Sequence, residues 1–423
     1  MDLTQRTFRA VSDRVEDNPQ FVAWWESVML GFLAPSPQEM TVEWVLRESV
    51  GDNWLQRGCY DTSLPAEALS AEHPVGTFVS FDKSINVGGA VIPAHLITDV
   101  TVRPSHRRRG VLRRMMVDDL AEAHEKGHAL AALTVTEATI YGRFGFGPAT
   151  FVQSVRLNTS TRFGLRTPST GRVELTSQDQ MGRVGAEIFE RHQAITPGAV
   201  GRGVLYAEHR SGIFDPRASD RNRSVRNALH FDDDGRPDGL VCYDVREEGG
   251  HYVLTVRDLV AVGTPAYLGL WEFLAGIDRV EQIDWPLAPI EDPLRWALVD
   301  QRAYEVTGIK DHLWLRILDP VAALSARRYS CPDQVFTLAV TDDLGLANGT
   351  YRIDVADGRA EVTRSADEPD ATVGVEELGS IYLGGVPVRQ LHVARRIGAS
   401  DEAADRLGHL LGGVRRPYCN TDF

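Results

Sequence analysis

The sequence predicts a mixed α/β chain of the α+β kind, divided into three parts. Three observations predict it. A strand, an Arg/Gly-rich loop, an amphipathic helix and a second strand follow one another before residue 150. A weaker copy of that order recurs between His251 and Val280. From about Asp311 the chain changes to alternating segments joined by Asn-Gly and Asp-Gly turns, with short helices after them.

Each element has its own local reason. An N-terminal helix is expected around Trp24, Trp25 and Glu26, followed by Met29, Leu30, Phe32 and Leu33. HLITDVTV (His95 to Val102) is rich in β-branched residues and bounded by Pro93 and Pro104, which marks a strand. PSHRRRG is the loop after it. In VLRRMMVDDLAEAHEK, Leu112, Met116, Leu120 and His124 recur every four residues, and Met115 and Ala123 fill the same face, as in an amphipathic helix. Gly127 ends that helix in the left-handed position. HALAALTV (His128 to Val135) reads as a buried strand, and EATIYGRFGFG as helical turns broken by Gly142, Gly145 and Gly147.

In the echo, HYVLTVRDLVAV is a strand, GTPAYLG a loop and LWEFLAGIDRV a helix, without the three arginines. FDDDGRPDG (Phe231 to Gly239) turns a hairpin upstream of it. In the last part, LWLRILDPVAALSARRYS is a strand, then Pro320, then a helix. FTLAVTDD and ANGTYRIDVADGRAEVTRS are hairpin strands. VEELGSIYLGG begins with acids where a helix starts, DEAADRLGHLL is amphipathic, and VRRPYCNTDF is a polar tail. The expected domains are 1–160, 161–305 and 306–423.

With 423 residues and 43% hydrophobic content, the chain can fill several cores. No apolar run approaches the roughly 18 residues of a membrane span. The N-terminus carries neither a basic region nor an apolar stretch of a secretory leader, so a cytoplasmic protein is expected. Lys plus Arg is 45 against 59 Asp plus Glu, a formal charge of -14, which disfavours a nucleic-acid binder and favours cationic small molecules. Cys59, Cys242, Cys331 and Cys419 are scattered, without metal or disulfide spacing.

The motif that carries chemistry is RRRGVL (Arg107 to Leu112), between a strand and a helix. Backbone N–H groups at a helix N-terminus, approached closely at Gly110, make an anion site, and the arginines add charge for a pyrophosphate or ribose phosphate. Three arginines in a solvated loop are the plainer alternative. Tyr141, just before GRFGFG, is a proton donor at neutral pH because a phenol ionises near pH 10. Its alternative is a packing aromatic. Trp24, Trp25 and Glu26 offer an aromatic and acidic wall for a cation, or core packing. His124 and His128 match the HExxH zinc pattern, but Gly127 interrupts the helix that would align them, so no metal is expected.

ITDVTVRPSHRRRGVLRRMM and TEATIYGRFGFGPAT together resemble the GNAT superfamily of acetyl-CoA-dependent N-acetyltransferases, and within it the Eis (enhanced intracellular survival) family of actinobacteria. LWLRILDPVAALSARRYS and LGSIYLGG extend the resemblance over most of the chain; residues 1 to about 90 match least. The resemblance implies tandem GNAT folds, the second degenerate, followed by a sterol-carrier-protein-like domain, and assembly as a homo-oligomer, a hexamer. It implies acetyl transfer to amines of aminoglycosides and to some lysine side chains.

Carried over by position, the resemblance gives Val100, Thr101 and Val102 to the pantetheine arm of acetyl-CoA. It gives Arg108, Arg109, Gly110, Val111, Leu112 and Arg113 to the pyrophosphate, and places Thr136 and Glu137 at the cosubstrate's border. Tyr141 becomes the general acid, and the terminal carboxylate of Phe423 the general base. An α-carboxylate, ionised above about pH 4, can take the amine's proton. Asp99 stands before Val100, where relatives can carry an aromatic, and is a candidate acceptor contact. Two rival readings stay open: a protein-lysine or polyamine acetyltransferase, told apart by its acceptors, and a lipid-binding module on a vestigial acetyltransferase fold, told apart by failure to bind coenzyme A.

Overall fold

The structure, a computed structural model, describes residues 3–135, 137–160, 163–413 and 415–423. Strand β1 (Leu3–Phe8) leads into helices α1 (Pro19–Gly31) and α2 (Glu39–Gly51). Pro19 suits the first turn of α1, where its missing N–H has no partner to lose. Three antiparallel strands follow, β2 (Leu55–Asp61), β3 (Gly76–Asn86) and β4 (Val91–Val102). Then come α3 (Val111–Glu125), β5 (Leu130–Thr134), α4 (Ala138–Tyr141) and the two-residue β6 (Gly147–Pro148). As expected from the periodicity, α3 buries Met115, Met116, Leu120 and Ala123, and Gly127 has a φ of 84° just past its end.

The central part runs β7 (Phe151–Asn158), β8 (Arg172–Thr176), α5 (Gln178–Ile195), α6 (Val204–Ser211), β9 (Arg226–Phe231), β10 (Pro237–Glu248), β11 (His251–Ala261), α7 (Thr264–Ala275), β12 (Val280–Pro289), α8 (Leu294–Ala297) and β13 (Tyr304–Asp311). Helix α7 begins inside GTPAYLG, where a loop was expected. Pro265 lies in its first turn, where proline is pre-set for a helix instead of breaking it.

The last part holds β14 (Leu313–Ile317), α9 (Pro320–Ala326), β15 (Gln334–Thr341), β16 (Gly349–Ala356), β17 (Arg359–Arg364), β18 (Ala371–Gly374), α10 (Val375–Ile381), α11 (Val388–Val393), β19 (Ile397–Ala399) and α12 (Asp401–Leu411).

Three sheets result: β1-β2-β3-β4-β5-β14-β6, β13-β7-β12-β11-β10-β9-β8, and β17-β16-β15-β18-β19. Two strands pair across the divisions expected at 160/161 and 305/306. β7 lies before residue 160 but is flanked by β12 and β13 in the central sheet. β14 lies after residue 306 but pairs with β5 and β6, Leu315 opposite Ala132, in the first sheet.

That exchange fuses the cores. Leu313, Leu315 and Ile317 belong to one apolar cluster that runs from Trp24, Trp25 and Val45 to Phe336, Tyr351 and Leu410. The buried Arg316 of β14 reinforces the join, donating to Asp342 Oδ2 at 2.7 Å and to the Phe144 carbonyl at 2.6 Å.

Candidate functional site

The site begins with a defect in the first sheet. On β4, Thr101 pairs with Thr77 and Thr98 with Val79, so β4 carries one residue more than β3 over this stretch. The surplus is a β-bulge at Asp99, whose φ of 52° is in the left-handed region. On its other side β4 pairs in parallel with β5 only at His95, Leu96 and Ile97. Beyond the bulge the two strands part, and Val100, Thr101 and Val102 line the opening together with Tyr141 and Glu137.

The opening is a cleft of about 720 Å³. Arg107, Arg108 and Gly110 form its rim, with Val111, Leu112 and Arg113 of the first turn of α3. Arg108 (φ 62°) and Gly110 (φ 77°) are both left-handed, so the loop turns sharply into the helix. The first bond of α3 is from Arg114 N to the Gly110 carbonyl, which leaves the N–H groups of Val111 to Arg113 without helical partners. That end of the cleft therefore presents an anion cradle under arginine charge. Arg109 belongs to the same loop. Thr136 lies outside the described residues.

Tyr141 ends α4, is 8% exposed, and meets the Phe146 ring edge-on at 6.5 Å. Burial, with the nearby Glu137 charge, pushes its phenol up to about 12, so it holds its proton throughout the neutral range.

The opposite wall is not the one the sequence suggested. Trp24 is fully buried and donates Nε1–H to the Arg57 carbonyl at 2.8 Å, and Trp25 is 8% exposed and stacked on Phe21. Both are core, because their helical spacing points them at the sheet. Glu26 is engaged by His73 Nε2 at 2.8 Å and does not line the cleft. The contribution of α1 is its C-terminal end, Gly31, Phe32 and Leu33. Gly31 is required there, since a Cβ would stand 2.4 Å from Thr101 Cβ.

Asp99 faces an acid the sequence reading missed, Glu48 at the end of α2. Glu48 accepts from Leu205 N–H at 2.6 Å. Burial pushes the Glu48 carboxyl up to about 7, only partly opposed by that N–H, and burial with the Glu48 charge does the same to Asp99. Lys83 Nζ is committed to Asp52 at 2.6 Å. Thr41, Trp44, Val45 and Glu48 share one helical face, so an acid on an apolar stripe was the available signal.

The C-terminal tail is held by groups distant in sequence. Tyr418 donates N–H to the Pro197 carbonyl at 2.8 Å and its hydroxyl to the Leu287 carbonyl at 2.5 Å. Asn420 Nδ2 donates to Asp258 at 3.2 Å, Arg202 Nε to Thr421 Oγ1 at 3.2 Å, and Arg210 to Asp422 at 2.6 Å. Tyr206 donates to the Asn420 carbonyl. Phe423 is thereby brought to the end of β5, where Thr134 Oγ1 donates to its main-chain oxygen at 2.8 Å.

His124 is in α3, whereas His128 follows Gly127 and lies outside the helix, so the two do not share a helical face.

The chain resembles known proteins along most of its length. Residues 16–149 match an acetyltransferase (GNAT) domain family, residues 198–317 a second acetyltransferase (GNAT) domain family, and residues 320–420 a sterol carrier protein domain. The chain is 34% identical over 413 residues to an uncharacterized N-acetyltransferase of Streptomyces griseus, covering 95% of this chain and 96% of that one. It is 32% identical over 336 residues to N-acetyltransferase Eis of Mycobacterium tuberculosis, covering 77% and 80%. The crystal structure of Eis1 from Mycobacterium abscessus superposes with a TM-score of 0.80 at 28% identity, over 100% of both chains. Among the described residues, no helix is long and apolar enough to cross a membrane.

Proposed function

Because this chain belongs to the Eis family of GNAT N-acetyltransferases, we propose that it moves the acetyl group of acetyl-CoA directly onto primary amines of polycationic acceptors, aminoglycosides among them, at more than one position. The observation that carries the reading is the single cleft lined by the parted strand Val100–Val102, the N-terminus of α3 and the protonated Tyr141. The acids near the bulge of β4 support a cationic acceptor approaching from beyond the cleft lining: Asp99, Glu48 and the terminal carboxylate of Phe423 outnumber Lys83, which Asp52 already neutralises.

In this mechanism acetyl-CoA is a substrate. The free backbone of Val100–Val102 bonds the pantetheine amides, and the α3 N-terminus with Arg108, Arg109 and Arg113 holds the pyrophosphate. The Phe423 carboxylate takes a proton from the acceptor ammonium, directly or through water, and the freed amine attacks the thioester carbonyl. As the tetrahedral intermediate collapses, the C–S bond breaks, Tyr141 protonates the departing thiolate, and the second N–H proton of the attacking nitrogen passes through solvent to restore the Tyr141 phenol. Holding amine and thioester together supplies much of the acceleration. The working form is proposed as a homohexamer, which the sedimentation velocity of the purified protein tests.

Thiol release from acetyl-CoA with a panel of aminoglycosides, polyamines and lysine peptides tests the function. Turnover with aminoglycosides is expected. Turnover confined to polyamines or peptides replaces the acceptor class, and failure to bind coenzyme A removes the reading.

A further inference from the structure

Outside the cleft lining, the first sheet brings together three side chains with metal-ligand atoms that no sequence spacing reveals. Asp82 and His95 are register partners on β3 and β4, and His128 enters from the connection between α3 and β5. Asp82 Oδ1 is 3.1 Å from His95 Nδ1 and 3.2 Å from His128 Nε2, and all three ligand atoms lie within 4.8 Å of one another. Ligands about 2.0–2.1 Å from a tetrahedral zinc ion stand roughly 3.4 Å apart, so closing the gap between the imidazoles fills three of the four positions of such a shell.

The second observation is behind His95. Its Nε2 lies 2.8 Å from Asp119 Oδ2, and the other oxygen of Asp119 accepts from Ser80 Oγ at 2.6 Å and Arg57 Nε at 3.1 Å. Asp119 is fully buried and its Arg57 neighbour is 1% exposed. A carboxylate held this way accepts the Nε2–H, so Nδ1, which faces Asp82 Oδ1, is the ring nitrogen an ion would take by displacing its proton. A carboxylate–histidine pair of this kind orients and strengthens a metal-ligating imidazole. The Asp82 side chain is 58% exposed, so an ion and a water as fourth ligand can enter.

We infer that Asp82, His95 and His128 form a binding site for a divalent transition-metal ion, zinc in particular, with Asp119 as the outer partner of His95. Two imidazoles and one carboxylate suit a borderline ion, whereas calcium and magnesium demand shells of oxygen. The site is structural. His95 lies five residues from Val100, about 16 Å along the strand, and none of the three ligands lines the cleft. A bound ion would instead clip the β3–β4 hairpin to the connection that follows α3.

The test uses the full chain, stripped with chelator, titrated with Co²⁺ by visible absorption and with Zn²⁺ by calorimetry. One equivalent is expected, with d–d bands of a tetrahedral Co²⁺ centre and a higher Tm. His128→Gln and Asp82→Asn should each weaken binding at least tenfold while coenzyme A binding stays unchanged. His124→Gln, in the interrupted HExxH pattern, should leave binding as it is. These two variants are chosen over His95→Gln, which would orphan the buried Asp119 and risk the fold. No saturable Co²⁺ binding to the native protein, or binding within twofold of native in His128→Gln, overturns the inference and leaves the cluster an ion-pair network only.

Discussion

Phe423 meets Phe81 of β3 edge-on, with ring centroids 6.1 Å apart, while Thr134 Oγ1 donates to its main-chain oxygen at 2.8 Å. The ring contact and the hydroxyl together fix the main-chain oxygen of Phe423, the group proposed above as the base. Deleting Phe423 should lower kcat by about a hundredfold or more, the usual scale for losing a positioned base, with little change in coenzyme A affinity. The new carboxylate at Asp422 leaves a residual rate because a base is present but misplaced. Thr134→Val should cost about tenfold, in line with one hydrogen bond to a charged group. Steady-state kinetics of both variants decide it. An unchanged kcat in the deletion keeps the acetyltransferase and discards this base.

Tyr141→Phe should retain acetyl-CoA binding and lose roughly 10²–10⁴ in kcat, the range for a general acid. Burial pushes the Tyr141 phenol up to about 12, so the alkaline limb of the kcat profile should lie above pH 10. A profile that breaks near pH 8, or a Tyr141→Phe variant with native kcat, would assign the proton donor elsewhere.

If the acceptor approaches the Glu48 and Asp99 carboxyls as proposed, their being pushed up to about 7 by burial gives its binding a pH dependence of definite sign. Below pH 7 they are protonated and neutral, and above it they are anions facing a cation. KM for a polyamine or aminoglycoside should therefore fall as pH rises through 7, while KM for acetyl-CoA stays level. Stability runs the other way. Between about pH 4 and 7 the folded chain holds protons on these groups that the unfolded chain has lost, so stability drops as pH rises across that window. Asp99→Asn should flatten both trends and raise the acceptor KM about tenfold at pH 8. An acceptor KM in Asp99→Asn equal to native would separate Asp99 from the acceptor.

The parts of this molecule legible in its sequence are those set by neighbours along the chain. The β4–α3 turn was readable because Pro104, Gly110 and the four-residue recurrence from Leu112 to His124 act locally. Tyr141 was found by its place after β5. Pairing between distant segments was not readable. Nothing in LWLRI marks it as a partner of Ala131 and Ala132 in place of a strand of its own domain, because strand pairing is chosen by the assembled sheet. Trp24 and Trp25 misled for a related reason. Their residue types suit a cation wall, but which face of α1 meets the sheet is a tertiary fact. Glu48 was hidden because its burial depends on α6, which arrives more than 150 residues later.

The buried pair of Arg316 and Asp342 joins the first sheet to the C-terminal domain, and both side chains are at most 1% exposed. Asp342 is held from three directions, accepting from Leu344 and Ala347 N–H groups as well as from Arg316. These donors hold its carboxyl below the usual range despite burial, with the Arg316 charge opposing desolvation most strongly. Asp342→Ala would leave a guanidinium uncompensated in the core, which costs about 3–5 kcal/mol. Replacing both partners, Arg316→Met with Asp342→Leu, should recover part of that loss, since an apolar pair needs no desolvation. Urea unfolding followed by circular dichroism reads the difference. A loss below about 1 kcal/mol in Asp342→Ala would mean that Arg316 finds another partner and that the strand exchange at β14, not this ion pair, ties the two domains together.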